Sequence, residues 1–219
     1  MQEKNEVSRE YSKEETNRAI MIGRIAEEFG LDHKVKRESF YASEVTVSRD
    51  DGTIDRIPII VSEVLLNSEI LSEKNTGKTV EIKGQFRSHN KLGKDGKIHL
   101  ELFLFVKEIV FRNADDKNEI FLRGYLCKLP VRGKNSQNQN ISELLVAVNR
   151  QYGKSDYLPC VAVGVNATRA GMRKIGDCIK IEGRMQSRKY FKKDPSNPEK
   201  GEWRKAYDIF IKKIQLIEE

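Results

Sequence analysis

Lys180-Ile-Glu-Gly-Arg-Met-Gln-Ser-Arg-Lys-Tyr-Phe-Lys-Lys193 organises the chain, which carries a second version of it, Glu81-Ile-Lys-Gly-Gln-Phe-Arg-Ser-His-Asn-Lys91. Ahead of the glycine in each, apolar residues alternate: Val80 and Ile82 in one copy, Ile179 and Ile181 in the other. That period of two is the mark of a half-buried strand. Past the glycine both copies turn basic and polar and run into a charged loop. A strand that leaves a buried barrel and continues as a basic hairpin arm suits a polyanionic backbone.

The repeat extends well beyond these stretches. A shift of 101 places puts Asn17 on Asn118, Gly23 on Gly124, Arg49 on Arg150, Asp55 on Asp156 and Pro58 on Pro159. A shift of 99 then puts Gly77 on Gly176, Gly84 on Gly183 and Ser88 on Ser187. The change of offset places the length difference between Pro58 and Gly77, where a loop or helix is expected. The organisation that follows is a polar tail over 1–16, a first domain over 17–113 and a second over 114–219, with the boundary in Arg112-Asn-Ala-Asp-Asp-Lys117.

Each half reads as five strands and one short helix. In the first half the strands are Arg18–Ala26, Phe40–Arg49, Thr53–Ser62, Thr79–Ser88 and Lys97–Phe111, with a helix near Glu63–Leu71 capped by Ser62. In the second they are Glu119–Leu129, Ile141–Arg150, Tyr157–Gly164, Cys178–Lys189 and Arg204–Ile217, with a helix near Asn166–Lys174. A β-β-β-α-β-β order over roughly 100 residues is that of the OB-fold, a five-stranded Greek-key barrel. An SH3-like barrel would leave the helix unexplained. The expected fold is therefore all-β with short helices, two OB-folds in tandem. The long connections, after strand one and between strands four and five, fall where this fold places its binding loops.

The chain has 219 residues, 38% hydrophobic and 33% charged, enough for two modest cores and unlike a disordered chain. Its net charge of +7 is unevenly spread. Residues 1–113 carry 19 Lys+Arg against 20 Asp+Glu, and residues 114–219 carry 21 against 13. The basic half favours a polyanionic partner, although a solvated surface gives the same count. Cys127, Cys160 and Cys178 form no C-x-x-C pair and each falls in an apolar strand, which suits buried free thiols. No metal site, cofactor, signal peptide or bilayer-length apolar run is indicated. With no nucleophile motif, phosphate loop or dinucleotide turn either, no enzyme is expected. A cytoplasmic, nucleoid-associated protein without membrane contact fits these features.

Single-strand binding needs cations along the backbone and rings on which unpaired bases stack. Arg184, Arg188, Lys189, Lys192 and Lys193 interleave with Tyr190 and Phe191 on one arm, and Trp203, Arg204, Lys205 and Tyr207 stand across the loop. Tyr207 lies nearer the barrel and suits packing. The competing reading pairs Tyr190 with Trp203 across the hairpin as a structural contact. Tyr125 alternates with the apolar positions of its strand and so faces outward; its counterpart in the first half is Arg24. Tyr152 and Tyr157 flank a turn that an Arg150–Asp156 ion pair, mirrored by Arg49–Asp55, is expected to fix. In the first half Arg87, His89, Lys91, Lys94 and Lys97 line the arm, whose one nearby ring, Phe86, shares parity with the core. The first half is expected to bind more weakly.

Ile179-Lys-Ile-Glu-Gly-Arg-Met-Gln-Ser-Arg-Lys-Tyr190, followed by Ala206-Tyr-Asp-Ile-Phe210, resembles strands four and five of the bacterial single-stranded DNA-binding protein family. Gly77-Lys-Thr-Val-Glu-Ile-Lys-Gly84 and Phe86-Arg-Ser-His-Asn-Lys91 are more similar to primosomal replication protein N, and Asn118-Glu-Ile-Phe-Leu-Arg-Gly124 resembles the opening strand of both. The resemblance covers the chain from about residue 17 as a tandem-OB form. It implies single-stranded DNA as partner, with little sequence preference, in replication, recombination or repair, and it carries over to Arg184, Arg188, Tyr190 and, loosely, Trp203. It also implies a homo-oligomer, a dimer supplying four OB-folds. The family's acidic tail with an apolar-aromatic tip has no counterpart in Gln215-Leu-Ile-Glu-Glu219, so recruitment through such a tail is not expected. Two other readings remain open: an RNA-binding OB protein, and a primosome-type adaptor whose first barrel binds other replication proteins.

Overall fold

The computed structural model describes residues 16–93, 96–150, 153–194 and 197–217, with the backbone alone for residues 69, 192–194 and 197–200. The expected tail over 1–16 lies outside this range apart from Thr16. Among the described residues, six strands form the first half: β1 (Asn17–Ile25), β2 (Gly30–Val35), β3 (Glu38–Ser48), β4 (Ile54–Ser62), β5 (Thr79–Leu92) and β6 (Ile98–Phe111). Six more form the second: β7 (Lys117–Leu126), β8 (Val131–Lys134), β9 (Asn140–Asn149), β10 (Ser155–Val163), β11 (Cys178–Asp194) and β12 (Asn197–Ile217). Helix α1 (Ser68–Ser72) follows β4 and helix α2 (Val165–Gly171) follows β10.

All twelve strands join one sheet in the order β2-β3-β4-β6-β5-β1-β7-β11-β12-β10-β9-β8. The order is symmetric about its centre, where β1 and β7 run antiparallel with Ala19 opposite Ile120 and Ile20 opposite Glu119. Each half closes into a barrel because β1 also pairs with β3, and β7 with β9. The parallel pairs β4–β6 and β10–β12 complete the Greek key. The protein is thus two OB-folds in tandem, sharing a sheet through their first strands.

Alternation explains the barrels. Val45 and Val47 on β3, Ile57 and Ile59 on β4, and Ile82 and Phe86 on β5 point inward and are buried. Val146, Leu158, Ile181 and Ile209 do the same in the second half. Full burial of each such side chain stabilises the fold by about 1.5–3 kcal/mol. The repeated glycines Gly84 and Gly183 sit at a register shift where β5 and β11 begin to leave their barrels. A Cβ there would stand 2.2 Å from the carbonyl oxygen of Phe105 or Phe210, so only glycine permits the approach. Two residues on, the repeated asparagines take over. The Asn17 side chain donates to the Phe86 carbonyl (2.7 Å) and accepts its N–H (3.0 Å). Asn118 does the same with Met185, at 2.7 and 2.9 Å.

Several expectations need correction. Strands β2 and β8 were not anticipated: β2 is exposed along its whole length and β8 likewise, so neither shows alternation. The first helix starts later than expected. Ser62 Oγ accepts the Val64 N–H (3.1 Å) and caps a turn, whereas Asn67 Oδ1 accepts the Ile70 N–H (2.8 Å) at the head of α1. The arm strands run longer than expected, to Leu92 and Asp194, because a two-stranded ribbon outside a barrel needs no apolar periodicity. Cys127 lies just past the end of β7 and is part-exposed, unlike the buried Cys160 and Cys178.

Candidate nucleic-acid interface

Each arm leaves its own barrel and lies across the other. The Ser187 N–H on β11 donates to Asp55 Oδ1 on β4 at 2.7 Å, and Ser187 Oγ accepts the Arg56 N–H at 3.0 Å. Reciprocally, the Ser88 N–H on β5 donates to Asp156 Oδ1 on β10 at 2.6 Å, and Ser88 Oγ accepts the Tyr157 N–H at 2.8 Å. Both aspartates are buried and held by arginine: Arg49 donates to Asp55 at 2.7 and 2.6 Å, and Arg150 Nε to Asp156 at 2.6 Å. The ion pairs expected at the two turns are present. Their second role, receiving the opposite arm, was not legible in the sequence.

Arg87 and Arg184 belong to this seam. Their guanidinium groups stack on Phe105 (3.9 Å) and Phe210 (4.1 Å), and neither Nε finds a hydrogen-bond partner among the described residues. Burial, reinforced by Arg150 beside Arg87 and Arg49 beside Arg184, lowers both pKa values from the ordinary arginine range. Arg184 lines a cleft of about 350 Å³ between the halves with Arg49, Asp51, Asp116 and Lys117.

Beyond the seam, strand alternation divides the second arm into two faces. Ser187, Lys189 and Phe191 share one face with Trp203, Lys205 and Tyr207. Phe191 and Trp203 are direct cross-strand partners, edge to face at 5.5 Å, and Trp203 remains 71% exposed. The alternative pairing of Tyr190 with Trp203 is therefore not what forms; Tyr190 stands opposite Arg204 on the other face. There the Arg188 guanidinium lies 5.9 Å from the Tyr190 ring while its Nε donates to Asp208 at 2.9 Å. Arg204 pairs with Glu202. The side chains of Lys192 and Lys193 lie outside the described residues. Near the barrel Lys205 Nζ donates to Glu44 of the first half at 3.1 Å, and Arg56 Nε donates to the same carboxylate at 2.7 Å. Tyr207 is half-buried and packs against the core as expected, and that burial, with Glu44 adding, pushes its hydroxyl up to about 12.

In the first arm Arg87, His89 and Lys91 share one face, with His89 exposed and Lys91 3.2 Å from Glu101. The opposite face carries Asn90 and Leu92 across from Leu100 and Ile98.

The barrel faces under the arms also correspond. In the second half Tyr125, Ala147 and Tyr157 stand directly opposite one another on β7, β9 and β10. Tyr125 is 37% exposed and Tyr157 46%, and two strand spacings set their backbones about 10 Å apart. The same positions in the first half are Arg24, Thr46 and Arg56. Tyr152 lies outside the described residues. Arg24 and Arg56 were not among the candidates from sequence. Their alignment with the two tyrosines was available from the repeat, but their place under the opposite arm was not. Among the described residues no group of three His, Cys, Asp or Glu could hold a metal, and no helix is long and apolar enough to cross a membrane.

Comparison with known proteins agrees with this fold. Residues 117–217 match the model of the Single-strand binding protein family. No curated protein sequence matches the chain. Among solved structures, the wild-type single-stranded DNA binding protein from Thermus aquaticus superposes with a TM-score of 0.73 at 14% identity, covering 93% of each chain. A deletion mutant of the same protein gives 0.70 at 15% identity, covering 93% of this chain and 95% of that one. The N-terminal domain of PriB protein from Thermoanaerobacter tencongensis is 26% identical over 46% of this chain and all of its own, with a TM-score of 0.38. The chain is a tandem OB-fold protein whose second barrel matches the model of that family.

Proposed function

We propose that this protein binds single-stranded DNA with little sequence preference, stacking bases on exposed rings and holding phosphates with Arg and Lys. The observation that carries the reading is the placement of Tyr125, Tyr157, Tyr190, Phe191 and Trp203. All five remain solvent-accessible rather than closing into the cores. Stacking on such rings contributes about 1–3 kcal/mol per base. The family match of the second barrel and the fold of the Thermus aquaticus protein point the same way. On this reading the protein is a non-enzymatic cytoplasmic binder serving replication, recombination or repair, and two chains associate to supply four barrels.

The test is anisotropy of labelled oligo-dT, with matched duplex and oligo-U as competitors. Tight binding that duplex fails to displace supports the reading. Equal displacement by duplex would reduce it to general polyanion binding, and stronger displacement by oligo-U would make the ligand RNA. Light scattering giving the mass of one chain would refute the dimer.

A further inference from the structure

The two halves carry different chemistry at corresponding positions, and the crossing of the arms sorts that chemistry into two unlike grooves. One groove lies between the first barrel's face and the second arm, the other between the second barrel's face and the first arm, since Ser187 docks on Asp55 and Ser88 on Asp156. In the first groove the barrel supplies Arg24 and Arg56, the latter paired with Glu44 and Glu27, and the facing side of the arm supplies Lys189, Phe191, Trp203 and Lys205. In the second the barrel supplies Tyr125 and Tyr157, and the facing side of the arm supplies Asn90, Leu92, Ile98 and Leu100. The contact between arm and barrel follows suit. Lys205 pairs with Glu44 in the first groove, whereas the corresponding positions in the second are Leu100 and Leu145.

We propose that single-stranded DNA meets these grooves in different ways. The first holds it through phosphates as well as the Phe191 and Trp203 rings, the second chiefly through bases, so that the salt dependence of binding resides mainly in the first. The inference rests on the single-strand reading above. Its physical basis is that the two contributions respond differently to salt. Neutralising phosphates releases condensed counterions, with a slope of about −0.7 in log K against log[salt] per phosphate for single strands. Stacking on a tyrosine flanked by aliphatic side chains releases none.

The experiment measures binding of an oligo-dT long enough to span both grooves, over a series of salt concentrations, for the full chain and two double variants. Tyr125→Ala with Tyr157→Ala is expected to weaken binding about ten-fold or more at every salt concentration and to leave the slope unchanged. Arg24→Gln with Lys189→Gln is expected to reduce the magnitude of the slope by about 1.4, two phosphate contacts, with the loss of affinity vanishing at high salt. Tyr157→Phe should retain wild-type affinity, which separates loss of stacking from loss of structure. The division is overturned if the tyrosine pair alters the slope as the cationic pair does, or costs nothing at high salt. Wild-type protein that binds no single strand would overturn the functional reading itself; binding with equal slope changes overturns the division alone.

Discussion

Asp55 accepts the backbone N–H of Ser187 at 2.7 Å across the junction of the two barrels, while Arg49 grips the same carboxylate. One buried group thus fixes a turn in its own half and the root of an arm from the other. The relationship recurs with Asp156, Ser88 and Arg150, which explains why these six positions are identical in the repeat.

Removing either aspartate should therefore be severe. In Asp55→Ala the Arg49 guanidinium and the Ser187 amide both lose their buried partner, a change that typically costs about 3–5 kcal/mol. Urea unfolding should show that loss for Asp55→Ala and for Asp156→Ala. A cost below about 1 kcal/mol, the range of exposed pairs, would show that the seam does not hold the halves together.

Gly183 makes a second prediction, about the point where the second arm departs. Gly183→Ala drives a Cβ to within 2.2 Å of the Phe210 carbonyl and should destabilise the fold by about 1–3 kcal/mol or more. Gly30→Ala on β2 meets nothing within 4 Å and should be close to neutral. Equal thermal stability of the two variants would contradict the packing described.

The docking of the second arm should weaken in acid. Burial pushes Glu44 up, but hydrogen bonds and charge from Arg56 and Lys205 outweigh it and hold the carboxyl below its usual value. A depressed carboxylate stabilises the folded state above its unfolded pKa of about 4.3, and the contribution is lost as pH falls through the lower folded value. The urea midpoint of Glu44→Gln should lie below wild type at pH 7 and converge with it below about pH 4. A gap that persists in acid would mean that the charge of Glu44 is not what binds the arm.

The barrels were legible in the sequence because period-two alternation and repeated glycines report burial and close backbone approach directly. Gly84 and Gly183 marked the departure of each arm, and the separation of Tyr207 from the exposed rings followed from its nearness to the core. The pairing of Phe191 with Trp203 was not legible, since register in a polar hairpin with no buried face is weakly specified by pattern. Nor was the crossing of the arms. Ser88 and Ser187 stood out as identities, but that their amides reach Asp156 and Asp55 depends on how β1 and β7 join the barrels. The same geometry takes Arg87 and Arg184 from the list of open arm residues and places them in the seam.

Trp203 offers the most direct measurement, because it is the single tryptophan and stands exposed on the arm against Phe191. Oligo-dT should be titrated into the protein while Trp203 emission and the anisotropy of the labelled strand are followed together. Quenching should saturate at the same equivalence as the anisotropy, and a Phe191→Ala variant should bind more weakly. Full anisotropy change with Trp203 emission unaltered would place the strand away from this arm and contradict the interface described here.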